Sequence, residues 1–507
     1  MNPALEPPWT EGSGQWSLGR LPYAADIAAG GAIGEGQRVR TRTERLTEPV
    51  DFLALCAAWP ERYVGLLETV AVGAQAGGFD LLLVSNGEAL VCADDGSLHG
   101  PHAAGAGGFL EALEAWTQSL AGRATAVSAL AAEAQAPELP FAGGWLLALG
   151  YELAGEIEPR LDLPAPSQPV PRALALRTPV ALIRDHATAR VWLIAESGFA
   201  ALADQVRRDL AVAPPTVVPD RCAQAVHEDA ADEFLRGVDR IIDYIGAGDV
   251  FQVNLSRGWR ARWPSAVPVA ALYAALRESN PAPFCGFLQW RDLALVSSSP
   301  ERLVAVANGV VQTRPIAGTR PRFFGDDDAA RVAELIGHPK ERAEHIMLID
   351  LQRNDLGRVT VPGTVQVDAL MEVESYAHVH HIVSNVRGQL RAGVSPVAVL
   401  RAVFPGGTIT GCPKVRCMQI IAELEGAGRG FYTGALGYLG VDGRMDLNIL
   451  IRSISVHAGQ IEFRAGAGIV ADSQAPRELE ETRAKAQGLL RALSADSVGS
   501  WRREAQP

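Results

Sequence analysis

Two pairs of glutamates in the second half of the chain have the residue type and spacing to hold a divalent cation. Glu341 and Glu344 lie three residues apart in ERAEHIML, and Glu478 and Glu481 lie three residues apart in RELEETRAK. Because residues i and i+3 share one face of a helix, each pair would present its carboxylates together, with Lys485 four residues after Glu481. Carboxylate oxygens suit Mg²⁺. The spacing indicates an Mg²⁺ site shared by two helices; for either pair alone, the alternative is a solvated acidic face.

A second group of residues has the chemistry to bind an anion. Arg452 ends the apolar run NILIR, where burial of an arginine is costly without a carboxylate partner, and Tyr438 lies in LGYLG on a neighbouring strand pattern. Glycine-rich turns in RAGAGIV and FPGGTITGCPK would bring backbone N–H groups close to an anion, although ordinary turns and helix starts look the same. The residues concerned there are Gly466, Ala467, Gly468 and Thr410. His381, in HVHHIVS, is either a packed core residue or a catalytic group.

The segment RPIAGTRPR, residues 314–322, places three arginines around a Gly-Thr turn. A small apolar residue, Ala317, stands where the chain could have carried a further charge, and Thr319 follows two residues later. These residue types leave open whether the arginines face a ligand or shape the turn.

Strands and helices in mixed order must position these groups. The patterns predict strands within 79–92, hairpins over 178–195 and 284–299, a strand over 381–390, and antiparallel strands over 433–470 with Asp-Gly and Ala-Gly turns. They predict helices over 233–249 and 477–493, and a helix with Pro413 near its first position after the FPGGTITGCPK turn. The fold class that follows is α+β with antiparallel sheets. The Pro-rich segment 212–220 divides the chain, and 161–173 is predicted to be a surface loop.

Composition limits the class of partner. The 507 residues have a formal net charge of −12 and are 48% hydrophobic, which favours a globular protein and argues against nucleic acid as the main partner. None of the six cysteines is in a CxxC pair, and no apolar stretch approaches the ~20 residues needed to span a bilayer. We therefore expect a reduced, cytoplasmic protein with no membrane association.

Nine motifs in a fixed order resemble the chorismate-utilising family, which includes anthranilate synthase component I, aminodeoxychorismate synthase component I, and isochorismate and salicylate synthases. The resemblance is dense over residues 230–493 and looser before them. The motifs are GDVFQVNLSR, NPAPF, SSSPERL, RPIAGTRPR, EHIMLIDLQRNDLGRV, HHIVS, FPGGTITGCPKVR, GALGYLGVDGRMDLNILIR and AGAGIVADS.

The resemblance implies two large antiparallel β-sheets packed together with outer helices, an N-terminal region over 1–215 and a chorismate-binding catalytic domain over 228–495. It implies that Glu344 and Glu481 hold Mg²⁺, with Glu341 and Glu478 beside them. It also implies that Tyr438, Arg452 and the 466–468 backbone bind the enolpyruvyl carboxylate. Lys485 would contact the ring end, His381 the C4 side, and Thr410 the region of the substrate hydroxyl. The 314–322 segment, which includes Ala317 and Thr319, would line the ring pocket.

Gln252 bears on the nucleophile. The isochorismate and salicylate synthases resembled here have a lysine that activates water at this position, and a neutral amide cannot act as that base. Ammonia is therefore the favoured nucleophile. Because none of the six cysteines lies in a Gly-x-Cys-x-Gly elbow, we expect the ammonia to come from a separate glutamine amidotransferase subunit.

Two amination products stay open. Many aminodeoxychorismate synthases carry PIKGT, whose lysine forms a ring adduct, so Ala317 resembles the anthranilate synthases instead. The segments GLLETVAVGAQAGGFD and NPAPFCGF depart from the tryptophan-pocket motifs of anthranilate synthases, and FAGGWLLALGYELA, HVHHIVS and FPGGTITG are closer to aminodeoxychorismate synthases. We expect 4-amino-4-deoxychorismate as product, with anthranilate as the alternative. A metabolite sensor without turnover is a third possibility, but it would tolerate loss of Glu344 and Glu481, and both are present.

Overall fold

The computed structural model describes residues 41–71, 78–121, 138–212, 214–223, 225–321, 333, 337, 339–375 and 379–494. Within strand and helix segments, the side chains of some residues lie outside the described part, including those of Ala317, Thr319 and Glu341. No described helix is both long enough and apolar enough to cross a membrane.

The described strands, in chain order, are β1 Thr41–Leu46, β2 Tyr63–Glu68, β3 Phe79–Val84, β4 Ala89–Cys92, β5 Leu98–His99, β6 Gly144–Leu149, β7 Ala173–Thr178, β8 Val180–Asp185, β9 Arg190–Glu196, β10 His227–Glu228, β11 Gln252–Arg262, β12 Phe284–Trp290, β13 Leu293–Ser299, β14 Arg302–Ala307, β15 Val310–Arg314, β16 Ile316–Pro321, β17 Gln366–Ser375, β18 Val379–Gln389, β19 Gly411–Cys412, β20 Ala435–Gly440, β21 Met445–Ile449, β22 Ser453–His457 and β23 Gln460–Ile469.

The described α-helices are α1 Phe52–Ala58, α2 Phe109–Ala121, α3 Ala154–Ile157, α4 Ala200–Val212, α5 Ala231–Gly246, α6 Val269–Ser279, α7 Pro339–Gly357, α8 Pro396–Val403, α9 Lys414–Glu425 and α10 Ala475–Leu493. Short 3₁₀ turns occur at Tyr151–Leu153 and Gly407–Ile409. The predicted helices over 233–249, 341–347 and 477–493 are confirmed. Pro413 is the N-cap of α9 rather than its first residue.

The strands form two large antiparallel sheets, as the family resemblance implies. The first has 12 described strands in the order β1-β9-β8-β3-β2-β12-β13-β22-β23-β11-β10, with β19 paired to β11. The second has 11 in the order β16-β18-β15-β14-β21-β20-β6-β7-β4-β5, with β17 paired to β18. The hairpins over 178–195 and 284–299 and the antiparallel run over 433–470 are present as predicted.

The segments before and after the Pro-rich divide share both sheets. β2 pairs with β12 in the first sheet, and β6 pairs with β20 in the second. The boundary between residues 215 and 228 therefore separates the two segments along the chain, while in space their strands are interleaved.

Apolar alternation places the core in layers. One cluster, which includes Leu81, Leu146 and Leu295, draws on strands of both sheets. Further clusters gather strand residues with helices: Leu272 of α6 belongs to one, and Leu400 of α8 to another. The candidate site lies where β11 and β23 of the first sheet meet the segments that cross between the sheets.

Candidate active site

One wall of the site is the strand pair β11–β23, and two glycines keep its surface open. Gly468 lies opposite Asn254, and Gly466 lies opposite Ser256. A Cβ atom on Gly468 would lie 2.4 Å from the Gln252 Nε2 atom, and one on Gly466 would lie 3.0 Å from the Tyr432 hydroxyl oxygen. Residues 466–468 continue strand β23, as the antiparallel run predicted over 433–470 implies, and the alternative of an ordinary turn is excluded. Their glycines serve close approach within a strand, a recognised use of strand glycine.

Gln252 is the first residue of β11 and is 7% exposed. Its Oε1 atom is buried and accepts no hydrogen bond from any residue that the structure describes. An unsatisfied buried amide oxygen costs free energy comparable to a lost hydrogen bond, so a bound group that donates an N–H or O–H would be stabilised here.

Tyr438, which is predicted to bind an anion, and a second tyrosine, Tyr432, lie in different surroundings. Tyr438 lies in β20 with its ring 5.4 Å from the Phe141 ring, and it lines a 110 Å³ cavity that does not include Arg452. Tyr432 instead lies at the Gly466 wall and is electrostatically coupled to Arg452. Burial raises the pKa of Tyr432 to about 12, so its hydroxyl stays protonated and can donate a hydrogen bond to a carboxylate. The signal available in the sequence was only that Tyr432 precedes the strand motif GALGY.

Arg452 is not in a strand. It lies in the crossing from β21 to β22 with a left-handed φ of 53°, and its carbonyl accepts a hydrogen bond from the Ser298 N–H at 3.1 Å. Among the described residues its guanidinium has no ion pair or hydrogen bond, and burial lowers its pKa. An arginine in this state is a strong site for an incoming carboxylate.

A buried acid that sequence analysis did not single out lies at the junction of three predicted motifs. Glu301, from SSSPERL, is 5% exposed, and its Oε1 atom has no hydrogen-bond partner within the described part of the chain. Burial raises its pKa to about 7, and the Thr408 hydroxyl, the Ile316 N–H and the Lys485 ammonium lower it only in part. A carboxyl of this kind is protonated for a substantial fraction of the time at neutral pH and can act as a general acid. A lone glutamate after Ser-Pro gave no spacing pattern by which to find it.

Lys485 ties helix α10 to the glycine wall. Its Nζ atom donates to the Gly466 carbonyl at 3.0 Å and forms an ion pair with the Glu481 Oε1 atom at 2.7 Å. The structure therefore brings Lys485, Gly466 and Glu481 together. Ala467 lies between the two wall glycines and is fully buried.

The carboxylates predicted to bind metal lie on α7 and α10, as expected. Glu478 is 9% exposed and Glu344 is half-buried, whereas the Glu481 side chain is 47% exposed. Over the described ranges there is no group of three or more histidine, cysteine, aspartate and glutamate side chains close enough to hold a metal ion. The side chain of Glu341 is not among those described.

Thr410 and His381 are both buried. The Thr410 hydroxyl donates to the Gly406 carbonyl at 3.0 Å within its own turn, and the Thr410 carbonyl accepts the Asn254 N–H at 3.0 Å. The hydroxyl hydrogen of Thr410 is therefore already used in a hydrogen bond within the wall of the site. His381 lies in β18 opposite Thr319 of β16 and Glu374 of β17.

The segment RPIAGTRPR is a strand with a bulge and not a turn. Ala317 and Thr319 pair with Ile382 and His381 of β18, and the register shifts between them at Gly318, where φ is 72°. Arg314 forms an ion pair with Glu374 at 2.5 Å, so this arginine stabilises the sheet. The side chains of residues 317, 319 and 320, and all of residue 322, lie outside the described part.

A larger cleft lies elsewhere. It has a volume of 670 Å³, and its lining includes Phe251, Leu351 and Pro405 but none of the predicted site residues. Two of its charged groups, Asp355 and Lys414, are already joined in an ion pair of 2.6 Å. Volume alone would favour this cleft, but the unsatisfied amide oxygen of Gln252 lies at the β11–β23 wall.

Comparison with known proteins identifies the family to which the chain belongs. Residues 97–491 match the family model described as chorismate binding enzyme. The chain is 41% identical over 368 residues to aminodeoxychorismate synthase component 1 of Bacillus subtilis, covering 70% of this chain and 77% of that one. It is 42% identical over 373 residues to anthranilate synthase component 1 of Thermus thermophilus, covering 72% and 80%. The crystal structure of anthranilate synthase component I from Streptococcus pneumoniae superposes with a TM-score of 0.72 at 30% identity, covering 83% of this chain and 93% of that one.

Proposed function

Because the chain belongs to the chorismate binding enzyme family, we propose that it aminates chorismate, with Mg²⁺ and with ammonia from a separate glutaminase subunit, to give 4-amino-4-deoxychorismate. The observation that carries the proposal is the unsatisfied amide oxygen of Gln252 at the glycine wall.

Gln252 favours ammonia over water as nucleophile. Water needs a base to remove its proton before it attacks, and an amide side chain cannot take that proton. Ammonia is already nucleophilic, and its N–H groups can donate to the free Oε1 atom, which would orient the nitrogen lone pair away from the amide.

Glu301 supplies the acid that amination requires. Replacing a ring hydroxyl by an amine releases that hydroxyl as water only if it receives a proton. With a pKa of about 7, Glu301 holds a proton for donation near neutral pH, and its Oε1 atom makes no other hydrogen bond.

Arg452 and Tyr432 would bind a carboxylate of the anionic substrate. The unpaired guanidinium can form two parallel hydrogen bonds with a carboxylate, and the protonated tyrosine hydroxyl can add a third. The Gly466 position leaves the space between them open, since a side chain there would meet the Tyr432 hydroxyl.

The magnesium component rests on donor chemistry. Carboxylate oxygens are the ligands that Mg²⁺ prefers, and Glu341, Glu344, Glu478 and Glu481 would hold it from two helices. When bound, Mg²⁺ would neutralise a substrate carboxylate and fix its position. Glu481 would then share its charge between the ion and Lys485, which now pairs with it at 2.7 Å.

The product at C4 is supported by the cavity around Tyr438. In anthranilate synthases, the segments that correspond to GLLET and NPAPF help to form a tryptophan pocket. Here Glu68 accepts hydrogen bonds from the Tyr273 hydroxyl at 2.8 Å and from Arg277 at 3.1 Å. The cavity of 110 Å³ is also below the roughly 300–1,000 Å³ of drug-sized ligand sites. Both features disfavour tryptophan binding and hence an enzyme of tryptophan synthesis.

Anthranilate formation is the second candidate, because Ala317 has no amine with which to form a ring adduct. Attack by ammonia at C2 followed by pyruvate loss needs no such adduct. Sequence identity does not separate the two candidates. The chain is 42% identical to anthranilate synthase component 1 of Thermus thermophilus and 41% identical to aminodeoxychorismate synthase component 1 of Bacillus subtilis.

A product assay tests the proposal. Chorismate, ammonium chloride and Mg²⁺ are incubated with the protein, with and without aminodeoxychorismate lyase. p-Aminobenzoate that appears only with the lyase supports amination at C4, and fluorescent anthranilate without the lyase supports C2. Absence of chorismate consumption would refute both and support a binding protein without turnover.

A further inference from the structure

Arg429, in the segment between α9 and β20, is buried at 4% exposure behind the candidate site. Its guanidinium donates to the Asn254 carbonyl at 2.7 Å, the Ile409 carbonyl at 3.1 Å and the Thr433 hydroxyl at 3.3 Å. It also forms two hydrogen bonds with the Glu425 carboxylate, at 2.7 and 3.0 Å. We propose that Arg429 is a positioning residue that holds three walls of the active site in register without touching the substrate.

The first two walls are β11 and the 407–410 turn. Asn254 is two residues from Gln252 on the same face of β11, and its side chain donates to the Thr408 carbonyl at 3.0 Å. Its N–H donates to the Thr410 carbonyl, also at 3.0 Å. Because Arg429 binds carbonyls of both segments, it sets the distance between the Gln252 amide and the Thr408 hydroxyl that faces Glu301.

The third wall is Tyr432. The Arg429 guanidinium carbon lies 5.5 Å from the centre of the Tyr432 ring and 4.9 Å from that of Tyr151. A cation at this distance is attracted to the face of an aromatic ring. The contact fixes the tyrosine whose hydroxyl lies at the Gly466 position, so the anion-binding geometry depends on Arg429.

The N-terminal segment supports Arg429 from the other side. The Glu152 Oε1 atom accepts the Arg429 backbone N–H at 2.6 Å, and the Tyr151 N–H donates to the Gly430 carbonyl at 2.8 Å. The motif GYELA, which precedes the Pro-rich divide, thus contacts the catalytic half of the chain at Arg429 and Gly430.

The chemistry requires arginine at this position. A guanidinium presents five donors in a rigid plane, whereas an ammonium group presents three around one point and cannot reach four acceptors on three segments at once. Charge balance is met by Glu425, which also binds Arg464 at 2.9 Å. Burial opposes the charged form of Glu425, but the two arginines hold its pKa below the usual value.

The test substitutes Arg429→Lys, which keeps the charge opposite Glu425 and removes the planar fork. We expect kcat/KM for chorismate to fall by about 10–100-fold, since sub-ångström to ångström misplacement of remote groups has effects of this size. Hydrogen–deuterium exchange at residues 251–254 and 408–412 should accelerate in the same variant. The exchange measurement needs no substrate and so remains informative even if the protein does not aminate chorismate, on which the kinetic arm rests.

Two matched variants separate positioning from a general loss of stability. Arg177→Lys removes a buried arginine that binds Glu196 and the Gly144 carbonyl, remote from the site. It should lower the melting temperature without changing kcat/KM or exchange at 251–254. Arg464→Lys removes a partner of the same Glu425 carboxylate and a contact to Ser256 of β11, but it leaves the Arg429 contact to Ile409, so exchange at 408–412 should stay as in the wild type.

The proposal is overturned if Arg429→Lys exchanges like the wild type, or if its kcat/KM lies within about twofold of that of Arg177→Lys. If Arg429→Lys does not fold, Glu152→Gln provides the test, because it keeps the arginine and alters only its support. Faster exchange at residues 408–412 in Glu152→Gln supports the proposal, and unchanged exchange counts against it.

Discussion

The buried carboxyl of Glu301 has a measurable effect on stability. Its pKa is raised from 4.5 to about 7, mainly because burial disfavours the charged form. At ~1.4 kcal/mol for each pH unit, this difference between the unfolded and folded chains corresponds to about 3 kcal/mol. Glu301→Gln has nearly the same shape but no charge, so it removes the effect while keeping the packing.

The sign of the effect follows from proton binding. Below the unfolded-state pKa of 4.5, Glu301 is protonated in both states and contributes no cost. Between 4.5 and about 7 the unfolded chain loses the proton while the folded chain keeps it, so the free energy of unfolding falls as pH rises. Above the folded-state pKa the cost is constant. The glutamine variant should therefore match the wild type in acid and exceed it by about 3 kcal/mol at alkaline pH.

The assay compares the unfolding midpoints of the wild type and Glu301→Gln in denaturant across this pH range, without ligand. Glu152 has a similar raised pKa of about 7, but it titrates in both proteins and cancels in the difference. Chorismate turnover of the variant should fall by about 10²–10⁴-fold, the range for loss of a general acid. A stability difference that does not change with pH would refute the buried-acid reasoning, and full turnover by the variant would refute its role as proton donor.

Three further predictions address the remaining parts of the site. Glu481→Gln should abolish turnover at saturating chorismate and weaken Mg²⁺ binding in calorimetry, with the exposed neighbour Glu480→Gln as control; near-wild-type activity would remove Glu481 from the metal site. Gly466→Ala places a Cβ 2.6 Å from the Leu255 carbonyl, so it should raise KM and lower the melting temperature, whereas Gly155→Ala, which meets nothing within 4 Å, should do neither. Arg452→Gln should raise KM about 10–100-fold, because it removes the guanidinium that would pair with the substrate carboxylate; an unchanged KM would remove Arg452 from the anion site.

Local sequence patterns predicted most of the elements near the site because the signals are short-range. The hairpins over 178–195 and 284–299 follow from turn residues between alternating apolar runs, and α10 follows from helical spacing. The placement of strands in sheets does not follow from such patterns. Adjacent strands β3 and β4 belong to different sheets, and no local rule distinguishes them from a hairpin.

The site residues show the same limit. Alternation along β20 and the loop before it cannot indicate which tyrosine faces the anion, because Tyr432 lies where the chain approaches the first sheet and Tyr438 lies within the second. The glycines at 466 and 468 were recognised as important, but their strand conformation depends on pairing with β11, which is more than 200 residues away. Glu301 was missed because its character depends on burial, which is a property of the fold and not of its neighbours in sequence.

Polar groups without partners mark the location of the candidate site. Several buried charges elsewhere in the described chain are paired, as Arg177 is with Glu196 and Arg62 with Asp209. Around the glycine wall, by contrast, Arg452 has no carboxylate, Glu301 is held near the neutral form, and the Gln252 oxygen has no donor. Each of these features costs folding free energy by itself. A carboxylate for Arg452, a leaving hydroxyl for Glu301 and an attacking N–H group for Gln252 would relieve all three, and a hydroxylated dicarboxylate ring bound together with ammonia supplies that combination.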